Sequence, residues 1–261
     1  MPQAKHITSA ANPVVKSLKA LALKKYRDEA GLFVVEGTRH LSEALDAGWQ
    51  LHSLALTEEA VKTAPDLLAA AAESYIMPAE LLSRITGRDN TQNIIGALKQ
   101  RVTGLSAIGT DKDTCWIVLE DIRDPGNLGT IMRTADAVQA AGIILVGQTC
   151  DAFSPEAIRA TMGSFARLQL VRTSLADFAA WKKTWAGRMT GTHLRTDTDY
   201  RAGDYTGPHI LAMGSEQNGL SDTLTALCDQ LVKIPMPGQT ESLNLGVSTG
   251  IMLYEMGRNR L

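Results

Sequence analysis

The chain has 261 residues, 44% of them hydrophobic and 21% charged, with 22 Gly and 9 Pro; that is length for one large α/β domain or two domains, and a composition that excludes disordered, collagen-like and fibrous proteins. No apolar run approaches the roughly 18 residues of a membrane span, and the opening Met1 to Lys16 lacks the apolar core of a secretory signal, so no membrane partner and a cytoplasmic location are expected. The net charge of −2 is unevenly spread: residues 1–27 hold Lys5, Lys16, Lys19, Lys24, Lys25 and Arg27 and no acid, so any polyanion contact is local.

Asn12-Pro13 opens a predicted helix, with Val14, Val15, Leu18, Leu21 and Ala22 at helical spacing to about Tyr26. Lys16, Lys19 and Lys24 on it serve either as an RNA-binding face or as a merely solvated one. A strand at 32–35, a helix at 37–47, a strand at 51–56, a helix near 66–73 and a strand at 94–98 that closes the sheet make a small α/β unit. Residues 104–113 carry no period and are rich in Gly, Ser, Thr and charge, so the predicted division is a domain at 1–105, a linker at 106–113 and a domain at 114–261. Beyond it strands and helices alternate: strand 116–119, helix 128–140, strand 143–146, an element at 155–161, strand 168–171, helix 175–186, strands 188–193 and 209–213, a short helix from Ser221, strand 231–234 and a long helix from about Leu243. That alternation implies a mostly parallel sheet flanked by helices.

Familiar nucleotide sites are missing. The first strand-to-helix junction reads Asp124-Pro125-Gly126-Asn127-Leu128-Gly129, without the glycine fingerprint of a dinucleotide fold, which opposes a nicotinamide oxidoreductase. Gly214 to Ser221 has Leu220 where a phosphate loop needs Lys, and no G-x-S-x-G elbow is present. Cys115, Cys150 and Cys228 are odd in number and sit in apolar runs, which fits reduced thiols, and the five His form no ligand-spaced pair, so no metal is expected.

What remains are polar residues in three loops at predicted strand ends, where open α/β sheets bind ligands. Asn127 stands at a helix start, as a cap or as a functional amide, with Arg133 under two turns further on. Gly214 and Gly219 bracket Glu216 in a loop that is either a plain turn or a close approach to a ligand. Pro235 and Pro237 stiffen the third loop, and Ser242 and Asn244 cap the last helix or reach a substrate.

Together, N-L-G-T-I-x-R-T-A-D-A from Asn127, M-G-S-E-x-x-G-L-S from Met213 and I-P-M-x-G-x-x-x-S-L-N-x-x-V-S-x-x-I-x-L-Y-E from Ile234 resemble the three signature blocks of the SpoU (TrmH) RNA 2′-O-ribose methyltransferases of the SPOUT superfamily. The N-terminal I-T-S-A-A-N-P-V-V-K is similar to the substrate-binding domain of the two-domain members, which is L30e-like. The resemblance implies a C-terminal trefoil knot, S-adenosylmethionine as cofactor held near Gly214, Ile234, Met236 and Leu243, and catalytic positions at Arg133, Asn127, Glu216, Ser242 and Asn244. Gly246 and Ser248 depart from the Ser and Ala that are frequent in the family, which implies altered helix packing rather than lost activity.

Methyl transfer to a ribose 2′-hydroxyl needs in-line alignment and removal of a proton. No His lies in the three loops, and a guanidinium is a poor base because its pKa exceeds about 12. Arg133 is therefore either the proton acceptor that the family implies or a group that binds the flanking phosphate and steadies the developing alkoxide. Glu216, acceptor-only, orients donors such as Asn127. The last helix, with Leu243, Leu245, Val247, Ile251, Met252, Leu253 and Met256, is apolar on several sides, which burial in its own domain or a homodimer would satisfy; the resemblance favours the homodimer. Ribosomal RNA is the expected substrate, with transfer RNA or a non-catalytic RNA-binding role as alternatives.

Overall fold

The computed structural model describes residues 4–111 and 114–258. In chain order the first stretch forms β1 (Lys5–His6), α1 (Pro13–Ala20), α2 (Lys24–Ala30), β2 (Leu32–Glu36), α3 (Thr38–Asp46), β3 (Leu51–Leu56), α4 (Pro65–Ala70), β4 (Glu73–Ile76), α5 (Ala79–Thr86) and β5 (Ile94–Lys99). The middle forms β6 (Cys115–Glu120), α6 (Pro125–Ala137), β7 (Gly142–Val146) and α7 (Pro155–Thr161). The rest forms β8 (Gln169–Thr173), α8 (Leu175–Lys182), β9 (Arg188–Thr192), β10 (His209–Met213), α9 (Asp222–Leu227), β11 (Gln230–Val232) and α10 (Leu245–Gly257). No helix among the described residues is long and apolar enough to cross a membrane.

Two compact units result: Met1–Arg101 with Asp151–Arg167, and Val102–Cys150 with Leu168–Leu261. The division differs from the predicted linker at 106–113. Leu105–Ala107 form a single helical turn, Ile108 is buried in the second unit's core, and Trp185 Nε1 donates to the Gly109 carbonyl at 3.1 Å. Apolar side chains thus dock most of that stretch; residues 112 and 113 lie outside the described ones.

The first unit is a five-stranded mixed sheet ordered β1-β4-β3-β5-β2, parallel from β1 through β3 and antiparallel at β5 and β2. The strand expected to close the sheet, β5, pairs on both sides. Phe153 and Phe165, from the returning segment, pack on Phe33 with ring centroids 4.8 and 5.6 Å away, and Trp49 donates its indole N–H to the Ala166 carbonyl at 2.9 Å. Asn12 caps α1 by accepting from Val14 N at 2.9 Å, with Pro13 at the first helical position. The single predicted helix to Tyr26 is instead two. Arg27, 3% exposed, donates to the Leu21 and Ala22 carbonyls at 2.7 and 2.8 Å, which satisfies the end of α1, and pairs with Asp151 at 2.7 Å. Arg27 therefore leaves the basic surface. Lys24 pairs with Asp28 and Lys25 with Glu29, so Lys16 and Lys19, both exposed, remain the α1 cations without an ion-pair partner among the described residues.

The second unit is a six-stranded sheet ordered β11-β9-β10-β6-β7-β8, parallel at every pairing. Strands covered on both faces read as continuous apolar runs, and β6, β7 and β10 are buried at every position. Trp116, Val118, Ile144, Val171 and Ile210 form the centre of its core. Two helix starts place the polar loops. α6 begins three residues before the predicted start: Asp124 Oδ1 accepts from Gly126 N and Asn127 N at 2.7 and 3.1 Å, and Pro125 takes the first position. Asp124 is the cap, which frees the Asn127 amide for other work. α10 begins at Leu245, capped by Asn244, whose Oδ1 accepts from Val247 N at 3.2 Å.

Candidate active site

The three polar loops leave the C-terminal ends of β6, β10 and β11. β7 and β8 follow β6 on one side while β10 lies on its other side, so the strand order reverses there, and open parallel sheets take ligands at such reversals.

The loop after β10 is a tight fold-back. Ser215 and Gly219 exchange backbone hydrogen bonds at 3.1 and 3.0 Å, which lifts Glu216 to an exposed tip. A Cβ at Gly214 would lie 1.9 Å from the Gly219 carbonyl carbon and 2.1 Å from Leu220 N, both backbone atoms, so only glycine fits. The loop's far end is anchored by Ser221 N, which donates to the buried carboxylate of Glu120 at 2.7 Å.

Asn127 joins the three loops. Its Nδ2 donates to Glu216 Oε1 at 3.0 Å, and its Oδ1 accepts from Asn244 Nδ2 at 2.9 Å. Asn244 is thus at once the cap of α10 and a partner of Asn127. Close approach of α6 and α10 makes this possible: a Cβ on Gly246 would stand 3.2 Å from the Thr130 methyl, tighter than ordinary contact. Ser248 turns its hydroxyl back to the Asn244 carbonyl at 3.1 Å. The two family departures therefore sit at the helix contact and within one helix turn of the cap.

Beside this triad lies a cavity of about 710 Å³, within the range of small-molecule sites. Its lining includes all four predicted cofactor positions, Gly214, Ile234, Met236 and Leu243, together with Glu216, Ser242 and Asn244. Among the described residues Ile234, Met236 and Leu243 spend no backbone N–H or C=O on another backbone group, so an irregular segment presents those groups to a ligand. Mixed backbone donors and acceptors over an apolar wall suit an adenine ring and a ribose.

Arg133 stands apart. Six residues along α6 from Asn127 it is turned by about 240° and advanced by about 9 Å; it is exposed, does not line the cavity, and makes no hydrogen bond or ion pair among the described residues. Lys16, Lys19 and Lys24 belong to the first unit.

Sequence reasoning missed a fourth loop. Thr192, the last residue of β9, and His193, Leu194 and Arg195, which follow it, line the same cavity. His193 Nδ1 accepts from Arg195 N at 3.1 Å, which leaves Nε2 to carry the proton of the neutral ring, and Thr192 donates to Met213 Sδ at 3.4 Å. The usable signal was position alone, since β9 neighbours β10 and ends beside it. None of the three cysteines is in a disulfide, and burial pushes the Cys228 thiol up to about 12, so it packs rather than reacts.

Residues 114–254 match the SpoU rRNA Methylase family, and residues 12–96 match the MRM3-like substrate binding domain. A 23S rRNA (uridine(2479)-2'-O)-methyltransferase of Streptomyces viridochromogenes is 31% identical across 100% of this chain and 94% of its own length. A 23S rRNA (guanosine(2553)-2'-O)-methyltransferase of Bacillus subtilis is 29% identical across 97% and 99%. Among solved structures, an AdoMet-bound rRNA methyltransferase from Sinorhizobium meliloti is 41% identical with a TM-score of 0.94 over 99% of both chains, and the SpoU methyltransferase AviRb from Streptomyces viridochromogenes with AdoMet is 30% identical at 0.86 over 95% and 98%. The fold, the glycine-dependent loop and the match over more than half its length agree: the chain belongs to the SpoU family of rRNA methylases.

Proposed function

We propose that this protein is an S-adenosylmethionine-dependent RNA methyltransferase that acts on a ribose 2′-hydroxyl of ribosomal RNA. The observation that carries the reading is the Glu216–Asn127–Asn244 triad at the edge of a cavity suited to the cofactor. The bound cofactor supplies a methyl group on cationic sulfur. Gly214, Ile234, Met236 and Leu243 would hold it through backbone groups.

The chain's own work is positioning, which can supply roughly 7–11 kcal/mol of such a barrier. Glu216 fixes one of the two Nδ2 hydrogens of Asn127, and Asn244 fixes its oxygen; the second Nδ2 hydrogen is left to donate to a ribose oxygen. Ser242 brings a hydroxyl that can donate or accept at the same mouth. Arg133, exposed and with no hydrogen-bond or ion-pair partner among the described residues, binds the phosphate beside the target ribose, so substrate completes the site.

The L30e-like first unit presents RNA through Lys16 and Lys19, with Lys24 partly neutralised by Asp28. The second unit, whose knot belongs to the family reading, forms a homodimer: Val247 and Tyr254, 52% and 54% exposed, with Ile251 between them, make an apolar stripe on α10 that a second copy would cover. The enzyme works in the cytoplasm, where its substrate is. The test is transfer of labelled methyl from S-adenosylmethionine to unmodified bacterial RNA, followed by nuclease digestion. Label on a ribose 2′-oxygen is the expected result; label on a base, or none despite cofactor binding, overturns the reading.

A further inference from the structure

One wall of the cavity of about 710 Å³ belongs neither to the triad nor to the predicted cofactor contacts: the turn that follows β9. β9 runs between β10 and β11, with Gly191 in register with Ala212 and Thr192 with Val232. His193, the next residue, donates its backbone N–H to the Val232 carbonyl at 2.9 Å, so it leaves the sheet between the two loops that carry Gly214 and Ile234. Its side chain lines the cavity among the backbone groups suited to the cofactor.

The ring is held in one tautomer. Nδ1 accepts from Arg195 N at 3.1 Å, a bond that lasts only while Nδ1 carries no proton. The proton of the neutral ring is therefore on Nε2, which makes no hydrogen bond among the described residues. In this state Nε2 donates and does not accept. His193 is thus not the proton acceptor that the other three loops lack, but a neutral donor fixed in direction by the backbone two residues on.

S-adenosylmethionine offers three kinds of acceptor to such a donor: its carboxylate, its ring nitrogens and its ribose oxygens. The carboxylate is better matched by the cations on the same wall, Arg195 and Lys233. The flat ring suits the backbone groups of Ile234, Met236 and Leu243, which leaves the ribose oxygens. We propose that His193 donates through Nε2 to one of the two ribose hydroxyls of the cofactor, and that the Arg195 N–H keeps the ring in the tautomer that does so. This rests on the reading of the cavity as the S-adenosylmethionine site and adds how the chain recognises the cofactor's sugar. A site built to hydrogen-bond a hydroxyl rejects the analogue that lacks it, because the donor is then left unpaired.

The test is calorimetric titration of the full chain with S-adenosylhomocysteine and with its 2′-deoxy and 3′-deoxy analogues. One of the two deoxy compounds is expected to bind about tenfold more weakly than S-adenosylhomocysteine. His193→Phe should weaken S-adenosylhomocysteine about tenfold and leave the affinity for that deoxy compound where it was, the coupling that a direct contact produces. Two further variants separate contact from loop shape. His193→Gln, whose amide reaches the place of Nε2, should stay within about threefold of the unsubstituted chain, whereas His193→Asn, whose oxygen can still accept from Arg195 N but whose amide falls short, should bind as weakly as His193→Phe. Equal affinity for the three compounds, a deoxy preference unaltered in His193→Phe, or better rescue by Asn than by Gln overturns the proposal while the cavity keeps its cofactor. Failure of the unsubstituted chain to bind any of the three removes the reading of the cavity and the proposal with it.

Discussion

Replacing Asn127 by Asp tests whether the triad is the working geometry. The change swaps the donor that Glu216 Oε1 meets at 3.0 Å for a second carboxylate oxygen. At that separation two unit charges repel by about 1.4 kcal/mol in water and about 5.5 kcal/mol at an effective dielectric of 20. The pair is partly exposed, which puts the repulsion near the lower end, at about 2 kcal/mol, and the lost hydrogen bond adds about 1 kcal/mol. A total near 3 kcal/mol corresponds to about 150-fold in kcat/KM for methyl transfer. Glu216→Gln alone should cost only a few-fold, because its amide oxygen still accepts from Asn127. Combined with Asn127→Asp it supplies an amide that donates to the new carboxylate, which also keeps its bond from Asn244. The double variant is therefore expected to recover to within about tenfold of the parent, a coupling the single changes cannot produce separately. Steady-state kinetics on a fixed RNA substrate, with thermal midpoints as a folding control, reads this directly. A double variant as slow as the product of the two singles would refute the triad as the catalytic arrangement.

Gly214→Ala should abolish S-adenosylmethionine binding in calorimetry while the melting temperature moves less, because the collision is with the same loop's own backbone at Gly219 and Leu220; retained affinity would show that the loop opens without consequence. Arg27→Met, which strips the guanidinium from a pair whose side chains are 4% and 7% exposed, is expected to cost about 3–5 kcal/mol in urea unfolding, and a cost under 1 would place the pair among ordinary surface bridges. Alkaline conditions should weaken the fold. Burial raises the Cys228 thiol to about 12, and burial, helped by nearby carboxylates, raises the Tyr75 and Tyr205 hydroxyls to about 12. The unfolded chain therefore releases these protons first, and stability present below pH 9 is lost progressively toward pH 12; a urea midpoint flat from pH 8 to 11 contradicts this. Lys16→Glu with Lys19→Glu should flatten the salt dependence of RNA binding by about two counterions' worth, whereas Lys24→Glu, already offset by Asp28, should change it less.

The second sheet was legible because its strands are buried on both faces: Trp116 to Leu119, Ile143 to Val146 and Ile210 to Met213 are apolar runs that periodicity does not confuse with helices of this length. Its helix starts were less so. Asp124 and Asn127 are both good caps, and only the backbone decides that Asp124 takes the role. The split between α1 and α2 depends on Arg27 and Asp151, 124 residues apart, a distance no local pattern spans. Short strands such as Lys5–His6 and Glu73–Ile76 carry too few residues for a period to show. At the site, loop residues flanked by glycine or proline could be singled out, whereas Thr192 to Arg195 carry no such punctuation and are recruited by the sheet's order alone.

The first unit is sewn from two pieces of chain, and that has a bearing on synthesis at the ribosome. When Arg101 has emerged, Phe33 and Trp49 still lack Phe153 and Phe165, and Arg27 lacks Asp151, so the nascent fragment carries an uncovered aromatic face and an unmatched buried cation. It must wait, half-built, through translation of β6, α6 and β7 before α7 arrives. A gene cut after residue 101 would express that waiting state permanently, and sticky aggregates rather than a tidy RNA-binding module are what such a truncation should yield.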